Sequence, residues 1–225
     1  MTVTLEELAQ RLDRVESLLA IRNLQHAYGY YLDKTLYSEV VELFSEDCEI
    51  VFMGGIYRGR AGAERLYIQR FRTTFTDGRN GPMHGFLLDH PQLQDVITIS
   101  EDGNSAKVRM RTLMQAGTHY TVKAAGEQRS RRDQWWEGGI YENEYVREGG
   151  VWRIRRLNYQ PLWHADFETG WARSEQHFVS ENVAYPENPV GPDELVENPH
   201  ELWPSAAVVP FHYPHPVTGE EWKRS

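Results

Sequence analysis

Cysteine is almost missing from this 225-residue chain: Cys48 stands alone. That excludes an internal disulfide, a CxxC redox pair and a thiolate metal cage, and a reducing cytoplasm fits best. Positive charge is short as well, with 24 Lys plus Arg against 33 Asp plus Glu and a net charge of −9. Such a surface repels a phosphate backbone, so no nucleic-acid partner is expected. No segment approaches the roughly 20 apolar residues that span a bilayer. The acidic start, Met1-Thr2-Val3-Thr4-Leu5-Glu6-Glu7, lacks the basic start and apolar run of a signal peptide. The expectation is therefore a cytoplasmic protein with no membrane partner. Gly-rich strand-to-helix fingerprints, GxxxxGK(S/T), HExxH and GxSxG are all absent, which removes support for nucleotide hydrolysis and hydride transfer. The nearest metal-like spacing, His212-Tyr213-Pro214-His215, sits in a Pro-rich loop with no third ligand nearby. No metal and no cofactor are expected.

What is present is globular: 40% apolar and 12% aromatic residues, enough for one full domain with a core. Thr4 and Glu7 have capping-box spacing, and Leu5, Leu8, Leu12, Val15 and Leu19 then recur at steps of three and four. A long helix is predicted from here to about Lys34, its apolar stripe interrupted by Arg22 and ending beside Asp33. A short helix is expected over Ser38 to Phe44, a strand over Glu49 to Met53 and a third helix over Gly62 to Phe75. From Met83 the period becomes two. Strands are expected over Gln94 to Ser100, Ser105 to Gln115, Gln134 to Arg147 and Val151 to Tyr159, with tight turns at Glu101-Asp102-Gly103-Asn104 and Glu148-Gly149-Gly150. Helices followed by a meander define an α+β class.

Proline is rare before residue 161, because nine of the eleven lie in the last 65 residues. Trp163, Phe167, Trp171, Phe178, Tyr185, Trp203, Phe211, Tyr213 and Trp222 lie there too, and a disordered tail is poor in aromatics. Residues 161–225 are therefore expected to form an extension that packs on the 1–160 domain or on a neighbouring subunit.

Several polar residues occupy places where this outline wants apolar ones. Asp33 closes the long helix after Tyr28, Tyr30 and Tyr31; it reads equally as a helix-end residue or as a carboxylate that orients a histidine. His84, after Gly81-Pro82-Met83, opens the first long stretch of strand, where an imidazole can face a cavity. Arg109 and Arg111 share one face of a strand that ends near His119 and Tyr120; an exposed sheet face is the plainer reading of both arginines.

Three stretches resemble the SnoaL-like and scytalone-dehydratase-like branch of the nuclear-transport-factor-2 (NTF2) superfamily. They are Ile21-Arg22-Asn23-Leu24 through Tyr30-Tyr31-Leu32-Asp33 to Leu43-Phe44-Ser45-Glu46-Asp47; Tyr57-Arg58-Gly59-Arg60; and His84 with the strands ending in Gly150-Val151-Trp152-Arg153-Ile154. The resemblance spans roughly residues 5 to 160. It implies an NTF2-like cone, three N-terminal helices packed on a strongly bent antiparallel sheet that encloses an apolar pocket, and cofactor-free acid/base chemistry in that pocket. It also implies an Asp–His pair, which falls on Asp33 and His84, with a second histidine at His119. The family's Ser and Asn fall on about Gly139 and Tyr141, and the tyrosine before its Asp falls on Leu32, departures that argue against scytalone as substrate. Tyr31, Arg109, Tyr120, Tyr141 and Trp163 are the expected substrate contacts. The tail segments Trp163-His164-Ala165-Asp166-Phe167 and Val209-Pro210-Phe211-His212-Tyr213-Pro214-His215-Pro216 resemble the diarylpropane lyases of lignin-dimer catabolism, which release formaldehyde and leave a stilbene. The resemblance thus implies a lyase for a small hydroxylated aromatic. A dehydratase, isomerase or polyketide cyclase on the same residues stays open, as does a non-catalytic NTF2-like subunit or binding module. A homo-oligomer, dimer or trimer, is expected.

Overall fold

A computed structural model describes residues 3–124, 133–175, 180–197 and 201–223. Helix α1 runs from Leu5 to Asp33; its Thr4 hydroxyl accepts from the Glu7 amide while the Glu7 carboxylate accepts from the Thr4 amide, so the capping box forms. The short helix α2 (Tyr37–Val41) leads into strand β1 (Phe44–Phe52) and its hairpin partner β2 (Gly55–Arg58). Residues 59–76 are helical throughout, as α3 (Gly59–Glu64), a π-helical stretch (Arg65–Phe71) and α4 (Arg72–Thr76). Then come β3 (Phe86–Asp89), β4 (Gln92–Ile99), β5 (Ser105–Thr118), the short α5 (Tyr120–Ala124), β6 (Gln134–Glu148), β7 (Val151–Asp166) and β8 (Glu194–Leu195).

The strands form one sheet in the order β3-β5-β6-β7-β1-β2-β8, with β4 also paired to β5. This is the NTF2-like arrangement of N-terminal helices on one open sheet. It corrects one expectation: the sheet is mixed, because β1 runs parallel to β7. The second helix also stops earlier than expected, so Phe44 begins a strand instead of ending a helix. β3 and β4 are two halves of one edge, pairing with Gln115–Thr118 and with Ala106–Thr112 of β5, and they are separated at His90-Pro91. Proline offers no ladder donor and restricts the residue before it, so the edge breaks there.

One face of the sheet and the helices bury Ile21, Tyr28, Tyr37, Phe44, Ile50, Tyr67, Met110, Tyr141, Leu157 and Tyr159 in a single core. The α1 face that meets this core is Ser17, Ile21, Gln25, Tyr28, Gly29 and Leu32. The stripe Leu5, Leu8, Leu12, Val15 and Leu19 is exposed instead. A polar chain ties the helix to the sheet: Asn143 Nδ2 and Tyr145 OH donate to Gln25 Oε1, and Gln25 Nε2 donates to Gln92.

Past β7 the chain crosses back over the domain. β8 pairs with β2, Arg65 ion-pairs with Asp193 and lies on the Tyr185 ring, and Asp193 accepts from the Arg58 amide. Farther along, Arg109 donates to the carbonyls of Val209 and Pro210 and stacks on Phe211.

Candidate active site

Asp33, at the last position of α1, does not meet His84. Its Oδ1 accepts from the His90 amide at 2.6 Å and contacts His90 Nδ1 at 3.1 Å. His84 is exposed in the loop before β3, six residues short of the break that turns His90 inward. The backbone contact fixes the imidazole beside the carboxylate. An Nδ1–H donated to Asp33 leaves the Nε2 lone pair as the free, basic edge of the ring.

A second pair lies on the sheet, near enough for His90 to act on it electrostatically. Glu137 on β6 and His164 on β7 are register partners, joined by a short Glu137 Oε2–His164 Nε2 contact, and the Tyr159 hydroxyl donates to the other carboxylate oxygen. All three are buried. Burial alone lifts the Glu137 pKa, but the His164 hydrogen bond and charge, the Tyr159 hydrogen bond and the His90 charge outweigh it, and the net shift is downward. Glu137 is thus held as a carboxylate, and His90 is close enough to act on it electrostatically.

Tyrosines complete the site. Tyr28 and Tyr67 share a hydroxyl–hydroxyl bond of 3.0 Å, and Tyr28 and Tyr159 lie edge and tilted against the Tyr141 ring. Burial pushes the Tyr28 phenol up to about 12 and holds those of Tyr67, Tyr141 and Tyr159 well above their ordinary value. These phenols stay neutral, and none can serve as a phenolate base; the Tyr159 proton is given to Glu137, and Tyr28 and Tyr67 share one bond.

Of the expected site residues, the structure brings together Asp33 and Tyr141. Tyr31 packs half-buried against the core from α1. His119 and Tyr120 are both exposed at the far end of β5, where His119 bonds the Thr121 hydroxyl at 2.8 Å and lies against the Tyr120 ring. They are a surface pair and not part of the buried cluster. Trp163 pairs with Gly138, one step along each strand from Glu137 and His164, so it stands on the opposite sheet face, against Trp171. Arg109 is on that opposite face too, held by Glu142 and the tail.

The face opposite the dyads also carries a cavity of about 900 Å³, roofed by residues 205–212 and floored by Lys107, Glu142, Glu144, Arg156, Asn158 and Gln160. Its floor is polar and charged while Ala206, Ala207, Val208, Val209 and Phe211 make an apolar roof, and its place outside the helix-covered face distinguishes it from the pocket expected inside the cone. Among the described residues no group of three or more His, Cys, Asp or Glu side chains is placed to hold a metal.

His90, Glu137 and His164 escape a reading of the sequence. His90 carries one usable signal, the following proline inside a two-residue period. Glu137 and His164 carry none, because a regular hairpin from Glu148–Val151 sets Leu162 opposite Glu137; two register shifts move His164 there instead. Gly139 marks one shift, and a Cβ on it would lie 2.5 Å from the Tyr159 ring. Gly139→Ala should therefore displace Tyr159 from Glu137, costing about 1–3 kcal/mol by overpacking. Denaturant unfolding monitored by tyrosine and tryptophan fluorescence checks it, and unchanged stability would contradict the close fit.

The fold and this buried acid/base cluster define the class. The chain belongs to the SnoaL-like domain family, whose pattern matches residues 13–158, within the NTF2-like superfamily. Among solved structures it is similar to a scytalone dehydratase-like protein of Novosphingobium aromaticivorans DSM 12444, at 19% identity over 76% of this chain and 97% of that one, TM-score 0.55. It is also similar to hexachlorocyclohexane dehydrochlorinase LinA-type3 of Novosphingobium barchaimii LL02, at 20% identity over 76% and 99% of the two chains, TM-score 0.54. A type 2 LinA gives 20% identity over 77% and 99%, TM-score 0.55. No curated protein matches the sequence. No helix is long and apolar enough to cross a membrane among the described residues.

Proposed function

We propose that this chain is an enzyme, a lyase that converts a small hydroxylated aromatic by acid/base chemistry centred on His90. The observation that carries the reading is the Asp33–His90 pair, set at the helix end near the buried Glu137–His164–Tyr159 group. Two largely buried imidazole–carboxylate pairs near enough for His90 to act on Glu137 electrostatically are the grouping that acid/base sites use. The dehydratase-like and dehydrochlorinase neighbours are named for eliminations of water and of hydrogen chloride, which lends the lyase class support.

Asp33 holds His90 in one tautomer, and Nε2 removes a proton as the leaving group departs. A substrate oxygen would replace one partner in the Tyr28–Tyr67–Tyr141 hydroxyl group to receive a hydrogen bond from a neutral phenol, and the surrounding rings favour an aromatic partner. The narrower reading is a diarylpropane 1,3-diol. His90 Nε2 takes the para-phenol proton and returns it to the benzylic hydroxyl, which the phenolate expels as water to give a quinone methide. His90 then takes the hydroxymethyl O–H proton, the carbon–carbon bond breaks, formaldehyde leaves and the ring regains aromaticity as a stilbene.

Purified protein incubated with a panel of phenolic lignin dimers, followed for stilbene absorbance and formaldehyde together, tests this. Both signals support the deformylating lyase. Conversion without formaldehyde supports elimination of water alone, and silence across phenolic substrates counts against the aromatic lyase reading.

A further inference from the structure

Helix α1 is buried along one face from Ser17 onward, while residues 5–16 are exposed all round except for the half-buried Asp13. Ser17, Ile21, Gln25, Tyr28 and Leu32 are buried against the sheet. Leu5, Leu8, Leu12, Val15 and Leu19 are between 52% and 86% exposed. At about 100° per residue the two sets point roughly 160° apart, so no small rotation buries both. The helix is also pinned in its present orientation: Asp13 pairs with Arg147 at 2.9 Å, and Arg14 donates to the carbonyls of Ser100 and Glu101.

The exposed set has a stricter pattern than a core-facing stripe. Steps of three, four, three and four place Leu5, Leu12 and Leu19 at heptad positions a, and Leu8 and Val15 at positions d. The flanking positions carry Ala9 and Glu16 at e, and Arg11 and Leu18 at g. In a parallel, in-register pair of helices, g of one strand meets the e five residues later on the other. Arg11 then faces Glu16 of the second copy, twice by symmetry. In an antiparallel pair g flanks g and e flanks e, so Arg11 and Glu16 do not meet. Charge therefore selects the parallel arrangement.

We propose that residues 5–19 of α1 are a self-association surface, which pairs with the same residues of a second copy of this chain as a parallel, in-register two-helix coil. Two heptads are too short to hold a coil of free peptides, since each helix must first be nucleated. Here both helices are already folded on their own domains, and pairing adds only the apolar seam and the two charge pairs. The domains lie on the outer sides of the helix pair, because the buried face is diametrically opposite the seam.

Sedimentation of the full-length protein at micromolar concentration should give a dimer. Leu12→Glu, a change at an exposed site, should convert it to a monomer with unchanged helix content. A wild-type monomer, a particle larger than a dimer, or a dimer that survives Leu12→Glu overturns the proposal. Orientation is read separately by cross-linking. Leu8→Cys should form an intermolecular disulfide under mild oxidation, since parallel register brings position 8 to position 8, whereas an antiparallel pair sets this d position against an a position. Cys48 is buried, with its thiol pushed up to about 11 by burial, and does not compete. A Leu8→Cys protein that stays uncross-linked while dimeric overturns the parallel register.

Discussion

His90→Ala should lower kcat by about 10²–10⁴, the usual contribution of a positioned general base, while His84→Ala leaves turnover close to normal. The contrast follows from geometry. Asp33 Oδ1 lies within hydrogen-bond distance of both the amide and the ring of His90, and His84 is in the exposed loop before β3. Asp33→Asn tests the other half of the pair. An amide oxygen can still accept from Nδ1–H, but it supplies no charge for the imidazolium formed during proton transfer, so kcat should fall at least tenfold with KM less affected. Steady-state kinetics on the converted substrate decides the matter. A His84 variant as impaired as the His90 variant would move the base to the loop and dissolve the pair described above.

Glu137→Ala should be the most destabilising single change in the cluster, by about 3–5 kcal/mol, because it strands two buried donors that were satisfied together. Those donors are the Tyr159 hydroxyl and the His164 ring. The same carboxylate sets an acid limb. Its pKa is lowered in the folded protein from an ordinary value of 4.5. The folded state then binds fewer protons than the unfolded one just below that value, so the stabilisation is complete above it and is lost as pH falls through the lower folded pKa. Denaturant midpoints measured from neutral pH down to about pH 3 should drop steeply for the wild type and less so for Glu137→Gln. Parallel curves for the two proteins would remove Glu137 as the group responsible.

Local chemistry made much of this fold readable from residues alone. Thr4 and Glu7 start the helix where their spacing says, and Gly149-Gly150 closes the β6–β7 hairpin where two alternating runs meet. The helical stretch 59–76 brackets the expected Gly62 to Phe75. The failures come from contacts between elements. Leu5 to Leu19 is a regular apolar stripe, yet α1 turns Ser17, Gln25 and Gly29 toward the sheet, where Asn143 and Tyr145 receive Gln25 and the Gln92 side chain packs on Gly29. Periodicity says that a face is apolar and not what will cover it.

The site was legible only in part, for a related reason. Asp33 ends a helix and can be placed from sequence. Its partner depends on how the edge strand breaks at His90-Pro91, and Glu137 meets His164 only after β6 and β7 slip twice in register. Neither event has a local spacing rule. Arg109 illustrates the converse: alternation with Val108 and Met110 made its outward face readable, and the C-terminal residues that cover it were not.

The strap formed by the C-terminal residues also sets terms for anything else that approaches the sheet. Arg109 is engaged by the carbonyls of Val209 and Pro210 and by the Phe211 ring, and residues 205–212 roof the cavity beneath them. Because the strap is tethered to the surface it covers, it acts as an intramolecular competitor at an effective concentration of about millimolar order. A second protein or a second sheet must outcompete that local concentration to reach the face, and a ligand small enough to slip beneath the strap need not. The covered face is thereby biased toward small molecules, and the uncovered helix toward macromolecular contact.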